Sequence, residues 1–146
     1  MKIIIGADHG GYELKNSISE WLKTQNHEVE DVGVFNSDSV DYPDISQKVG
    51  LGVSSGDFQR GILICGSGVG VNIAVNKING IRAVHCHDTV IARLSREHNN
   101  TNVITMGGRF IAKELAFEIL QIWLNTDFAS GRHQNRVDKI SALESN

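Results

Sequence analysis

An open parallel sheet covered by helices on both faces is the fold this sequence predicts, from three observations. Short β-rich runs alternate with amphipathic segments from one end of the chain to the other. The runs Ile3-Ile4-Ile5 and Gly61-Ile62-Leu63-Ile64-Cys65 are apolar at successive positions, which marks strands buried on both sides. Glycines close several of these runs, at Gly6, Gly66 and Gly107-Gly108. Such alternation argues for βαβ units.

The elements follow in order. After the first strand, Leu14, Ile18, Trp21 and Leu22 recur at helical spacing between Tyr12 and Gln25, with Lys15, Glu20 and Lys23 elsewhere on the wheel. Val29, Val32 and Val34 suggest a second strand. Asp44 is placed to cap a helix carrying Ile45, Val49 and Val53. The third strand is Gly61–Cys65, and Val69–Lys77 reads as a short helix. Arg82–Cys86 forms the fourth strand, and Asp88 caps a helix with Val90, Ile91, Leu94 and Ser95 that ends near His98. Val103–Met106 is the fifth strand. Ile111–Leu124 reads as the longest helix, with Leu115, Ile119, Ile122 and Trp123 on its apolar face. Val137, Ile140 and Leu143 mark a final helix, about 133–144.

Right-handed crossovers leave few topologies for this pattern. The expectation is a single-domain, three-layer α/β/α, Rossmann-like (flavodoxin-like) fold with a five-stranded parallel sheet in the order 2-1-3-4-5. The 146 residues suit one domain, 1–146, with no linker or repeat. With 40% hydrophobic and 21% charged residues, the composition is that of a globular protein. The 15 glycines show no triplet period and there is one proline, so collagen and proline-rich linkers are excluded. A net charge of −3 gives no footprint for nucleic acid. No apolar run approaches membrane-spanning length, and Asp8 follows the first strand too soon for a signal peptide. Cys65 and Cys86 fit neither a disulfide framework nor a CxxC pair, so a cytoplasmic protein is expected.

In such a sheet, ligands bind beyond the carboxyl ends of the strands where the order reverses, here between the first and third strands. The loops there are Gly6-Ala7-Asp8-His9-Gly10-Gly11 and Cys65-Gly66-Ser67-Gly68-Val69-Gly70. The second runs from strand to helix, so its N–H groups can hold a phosphate or the oxyanion of an enediolate. The alternative is a tight turn with no ligand. Its GxGxG spacing is not the dinucleotide GxGxxG, and no Gly-Lys-Ser/Thr follows as in a phosphate-binding P-loop. Cys65 is either a small buried hydrophobe or, beside a helix N-terminus, a base or nucleophile. Val71 stands where a phosphatase-type Cys-x5-Arg loop needs arginine, which argues against a phosphocysteine. His85-Cys86-His87-Asp88 looks like a metal tetrad on paper, but neighbouring strand side chains point to opposite faces, and Cys86 reads as structural. His98 reads from pattern as a surface histidine at a helix end. Arg132 and Arg136 share a helix face, with His133 beside them, as a phosphate clamp or a solvated basic face. Arg109 adds a positive group after Gly107-Gly108.

Taken together, the loops Gly6–Gly11 and Gly61–Gly70 join Asp41-Tyr42-Pro43, Gly80-Ile81-Arg82-Ala83, Leu94–Asn99 and Gly131–Val137 in one recognisable order. Over essentially its whole length the chain resembles the sugar-phosphate isomerase family that contains ribose 5-phosphate isomerase type B and the galactose 6-phosphate isomerase subunits. The resemblance implies an aldose–ketose isomerase, an intramolecular oxidoreductase, acting on ribose 5-phosphate and ribulose 5-phosphate. A hexose 6-phosphate such as allose or galactose 6-phosphate is the alternative substrate, and a non-catalytic sugar-phosphate-binding module the alternative class. By resemblance Cys65 is the base that moves a proton through a cis-enediolate. His98 opens the sugar ring, and Asp8 contacts the ring oxygen or hydroxyls. Gly66, Ser67, Gly68, Val69 and Gly70 form the anion hole, with Ser67 next to the moving oxygens. Arg132 and Arg136, helped by His9, hold the phosphate. Asn99 and Arg109 contact substrate, while Asp41 and Tyr42 edge the site. Some relatives use a glutamate further along instead of the cysteine, but position 74 is Ala here. The resemblance further implies a homodimer or dimer of dimers with sites shared between subunits, the last helix packing on a partner, and no metal or organic cofactor.

Overall fold

The computed structural model describes residues 1–145 and has the expected three layers. Strand β1 (Lys2–Ala7) leads through a short 3-10 turn (His9–Gly11) into α1 (Tyr12–Thr24). There follow β2 (Glu28–Asp31), α2 (Tyr42–Ser54), β3 (Arg60–Cys65), α3 (Val69–Val75), β4 (Ala83–His85), α4 (Thr89–Asn99), β5 (Val103–Gly107), α5 (Lys113–Asn125) and α6 (Arg132–Ala142), with a last 3-10 turn at Leu143–Ser145. Every strand pairing is parallel.

The strand order is β2-β1-β3-β5-β4, which corrects the expected 2-1-3-4-5. The reason is burial. All of β5 is buried, so it suits a place beside β3, with neighbours on both edges. Strand β4 is three residues long and half-buried throughout, which suits an edge. Its outward side is plugged: the Asn76 side chain accepts from the Ala83 N–H at 2.9 Å and donates to the Ala83 carbonyl at 3.1 Å.

Two cores flank the sheet. One joins Ile3, Ile5, Ile62, Ile64, Ile104 and Met106 to α1, α4 and α5 through residues such as Ile18, Ala92 and Trp123. The other joins Ile4, Leu63, Cys65 and Val103 to α2 and α3 through Val49, Val71 and Val75. The alternation of side chains along each strand produces this division.

Several local expectations change. Helix α2 begins at Tyr42 with Asp41 as its N-cap residue, so Asp44 lies inside the first turn rather than at the cap. On α4, Val90 and Ile91 are exposed, and Ala92, Ser95 and Arg96 face inward. Helix α5 starts at Lys113 and matches α1 and α2 in length, with Leu115 exposed. Ile140 and Leu143 are also exposed, leaving Val137 as the buried apolar residue of α6. Regular strand ends at Asp31, although Val32 and Val34 still donate to the Ile5 and Ala7 carbonyls. Asp88 caps α4 as expected, accepting from the Ile91 N–H at 2.7 Å.

Candidate active site

The loops after β1, β3 and β5 meet at the carboxyl edge of the sheet. Backbone hydrogen bonds stitch them together: Asp8 N–H donates to the Ile64 carbonyl at 3.1 Å, Gly108 N–H to Cys65 at 2.8 Å and Arg109 N–H to Gly66 at 3.1 Å. Between them opens a cleft of about 600 Å³ lined by Asp8, His9, Tyr42, Cys65, Gly66, Ser67, Val69, Gly70, Ile73, Arg109 and Phe110.

Cys65 ends a strand that is buried from Gly61 onward, so its thiol stands at the floor of the cleft and is 5% exposed. Its Sγ accepts the Gly68 N–H at 3.0 Å. Gly68 has φ +80, and a Cβ there would lie 2.5 Å from His85 Cε1 and 2.6 Å from the Met106 carbonyl carbon. Only glycine supplies that turn and that approach together. Ser67 Oγ accepts from the Val69 N–H at 3.3 Å, which holds the hydroxyl over the start of α3. Asp8 is 7% exposed and fixed by the Gly10 N–H, which donates to Oδ1 at 2.8 Å. The Arg109 guanidinium covers Gly66, and the Tyr42 ring covers Gly70, where a Cβ would fall 2.6 Å from the ring. Asp41 stays at the α2 N-cap, outside the cleft lining.

The remaining expected residues lie elsewhere. His98 and Asn99 close α4, whose end is clamped by buried Arg96: Nη1 donates to Asn100 Oδ1 at 2.9 Å and to the Thr101 carbonyl, and Nε to the Thr126 carbonyl at 3.2 Å. Arg132 and Arg136 stand exposed on α6. The His98 and His133 rings stack at 4.3 Å between centroids, tying α4 to α6. Desolvation first, and then the positive neighbours His98, Arg132 and Arg136, push the His133 imidazole below its ordinary value, against a weaker opposing effect from Glu97. Among the described residues neither Arg132 nor Arg136 has an ion-pair partner. None of these four residues lines the Cys65 cleft. Asn99 lines a larger hollow of about 810 Å³ on the β4 side, with Arg82, His85, Ile140 and Leu143.

His85 and His87 lie on one side of β4's end, with ring centroids 4.4 Å apart, and Cys86 is buried in the opposite core. Burial pushes the Cys86 thiol up to about 11, as expected for a structural cysteine. Among the described residues no group of three or more His, Cys, Asp or Glu stands together as metal ligands, and no helix is long and apolar enough to cross a membrane. Ile73 and Phe110 were not anticipated. Both are large exposed apolar residues at helical or loop positions, and their only sequence signal was nearness to the glycine loops.

Known proteins match this arrangement. The family model described as Ribose/Galactose Isomerase matches residues 3–140. Ribose-5-phosphate isomerase B of Escherichia coli is 47% identical over 143 residues, covering 98% of this chain and 96% of that protein. The structure of Clostridium thermocellum ribose-5-phosphate isomerase B superposes with a TM-score of 0.98 at 49% identity, covering 99% of this chain and 98% of that one. Ribose-5-phosphate isomerase B from Mycoplasma genitalium, solved with bound ribulose-5-phosphate, has a TM-score of 0.95 at 41% identity, covering 99% and 97%. The chain belongs to the ribose/galactose isomerase family.

Proposed function

We propose that the protein interconverts ribose 5-phosphate and ribulose 5-phosphate, with Cys65 as the base. One observation carries the reading: a thiol at the floor of a polar cleft accepts a backbone N–H from the glycine loop, which also turns toward the substrate space. The glycine-loop amides beside this sulfur are placed to stabilise an enediolate. The thiolate takes the proton from C2 of the opened aldose, leaving a cis-enediolate. The thiol then returns a proton to C1, while the hydroxyl proton moves between O2 and O1, giving the ketose. Asp8, held by Gly10, meets sugar hydroxyls, and His9 and Arg109 bring positive charge to the cleft.

The cleft of one chain does not contain the ring-opening His98, Asn99 or the phosphate clamp Arg132 and Arg136. Our reading supplies them from a second copy. Two features support this. Val69, Ile73 and Phe110 leave large apolar surface around the cleft (Phe110 is 74% exposed). Arg132 and Arg136 meanwhile present charge on α6 that no acid among the described residues pairs with. A symmetric pair would bury the first and place the second over the phosphate. Two free cysteines fit a cytoplasmic enzyme.

The test is ketose formation from ribose 5-phosphate by the purified protein, with a Cys65→Ala variant alongside. The variant is expected to lose about 10²–10⁴-fold in kcat, the range for positioned acid–base groups. Absent turnover, or an undiminished variant, refutes the reading. Faster turnover of allose 6-phosphate moves the substrate to a hexose.

A further inference from the structure

We propose that Thr105 is a positioning residue for this reaction, holding Gly68 so that its N–H meets the Cys65 sulfur. The proposal rests on the isomerase reading above. Thr105 lies in the middle of β5 and is fully buried. On its face of the sheet Val103, Leu63 and Cys65 belong to the apolar core under α2 and α3, where valine would fill the same space. The hydroxyl therefore has a task other than filling volume.

That task is visible in its two bonds. Thr105 Oγ1 lies 3.0 Å from the Gly68 carbonyl oxygen, which can only accept, so the single hydroxyl hydrogen goes there. His85 Nδ1 lies 3.2 Å from Thr105 Oγ1 and must then donate to that hydroxyl oxygen. This assigns the ring hydrogen of neutral His85 to Nδ1. A directed chain results: His85 Nδ1–H to Thr105 Oγ1, then Thr105 O–H to the Gly68 carbonyl. The Asn72 N–H also donates to that carbonyl, at 3.3 Å.

Gly68 sits between this anchored carbonyl and the N–H that reaches Cys65. With no side chain and φ +80, its backbone has no steric preference that would hold this conformation unaided. Fixing the carbonyl side fixes the direction of the residue as a whole. Thr105 thus acts on the sulfur through one residue, without touching the substrate space: it is absent from the cleft lining.

Thr105→Val and Thr105→Ser are compared with the parent protein. Two quantities are read: steady-state kinetics on ribose 5-phosphate, and the rate at which iodoacetamide alkylates Cys65 at neutral pH, followed by peptide mass spectrometry. Thr105→Val is expected to lower kcat about tenfold with KM within about twofold, since a hydrogen bond to a charged group is weakened. Alkylation of Cys65 slows several-fold. Thr105→Ser restores both. A purely structural role would loosen the cleft and speed alkylation. That result, unchanged values in Thr105→Val, or failure of serine to restore them, overturns the proposal. If Thr105→Val does not fold, Thr105→Ala against Thr105→Ser gives the same comparison. If the parent protein lacks isomerase activity but Thr105→Val still slows alkylation, the positioning link stands and the isomerase reading falls.

Discussion

The Cys65 cleft and the α4–α6 surface contain the same kinds of residues but are built in opposite ways. In the cleft, main chain does the holding: three loops exchange backbone hydrogen bonds, and glycines let them close to contact. On the α4–α6 surface, side chains do it: Arg96 clamps the helix end, and His98 stacks on His133. The cleft is nearly closed to solvent at Cys65 and Asp8, whereas Arg132 and Arg136 are open. Proton transfer next to a carbonyl needs fixed dipoles around a fixed base. Holding a phosphate needs long, charged, adaptable side chains. Under the proposed function, each region suits one of these tasks.

The strongest way to break this comparison is to separate the two tasks genetically. Cys65→Ala and His98→Ala should each lose at least about 10²-fold in activity. If two copies share each site, mixing and reassembling the two variants should recover about a quarter of the parent activity, because half of the pairs are mixed and each holds one intact site. No recovery on confirmed exchange of subunits would place both groups in the same chain's site.

Two glycines sharpen the contrast in stability. Gly68 and Gly131 both have positive φ, at +80 and +56. A Cβ at Gly68 collides with the β5 backbone, whereas at Gly131 it meets nothing within 4 Å. Gly68→Ala should cost about 2–4 kcal/mol, strain plus overpacking. Gly131→Ala should cost only the backbone strain, about 1–3 kcal/mol, with no overpacking added. Denaturant melts would check this, and equal losses would show that the cleft has more give than its contacts imply.

The smallest expected effect is pH-dependent. His85 is held below the ordinary histidine value of 6.5, first by burial and then by His87, against a hydrogen bond to the Thr105 backbone. The folded state therefore binds fewer protons than the unfolded chain in the window just below pH 6.5. Stability from this group is present above that pH and is lost as pH falls through the window. The melting temperature should drop between pH 7 and pH 5, and His85→Gln should make that drop shallower. An unchanged slope would remove His85 from the account.

Much of the fold was legible because hydrophobic period is a local signal. The helix from Tyr12 and the strand ending at Cys65 needed no distant information. The order of the last two strands did need it. Arg82–Cys86 and Val103–Met106 look equally strand-like, and only the depth to which each is buried separates centre from edge. Val90 and Ile91 misled for a related reason: the inward face of α4 carries Arg96 and Ser95, whose polar groups are satisfied at the helix end. At the site, glycine spacing pointed to Cys65 and its loop, and both line the cleft. It could not reveal that His98 and Arg136 lie outside that cleft, since linear order does not encode distance. Thr105 escaped notice because threonine is an ordinary strand residue, and His85 drew attention only as part of a paper metal tetrad. A lone hydroxyl in the run Val103–Met106 was the available clue.

The Asn76 plug on β4 has a consequence for how the protein behaves in a crowded solution. An amide side chain carries N–H donors beside a carbonyl acceptor, so it imitates a neighbouring strand for a single residue and occupies the place where a foreign strand would begin to dock. Cross-β stacking is thereby denied a starting point at the edge formed by the sheet's shortest strand. At this edge, association is left to side-chain surfaces, which can be selective, rather than to backbone pairing, which is indifferent to sequence.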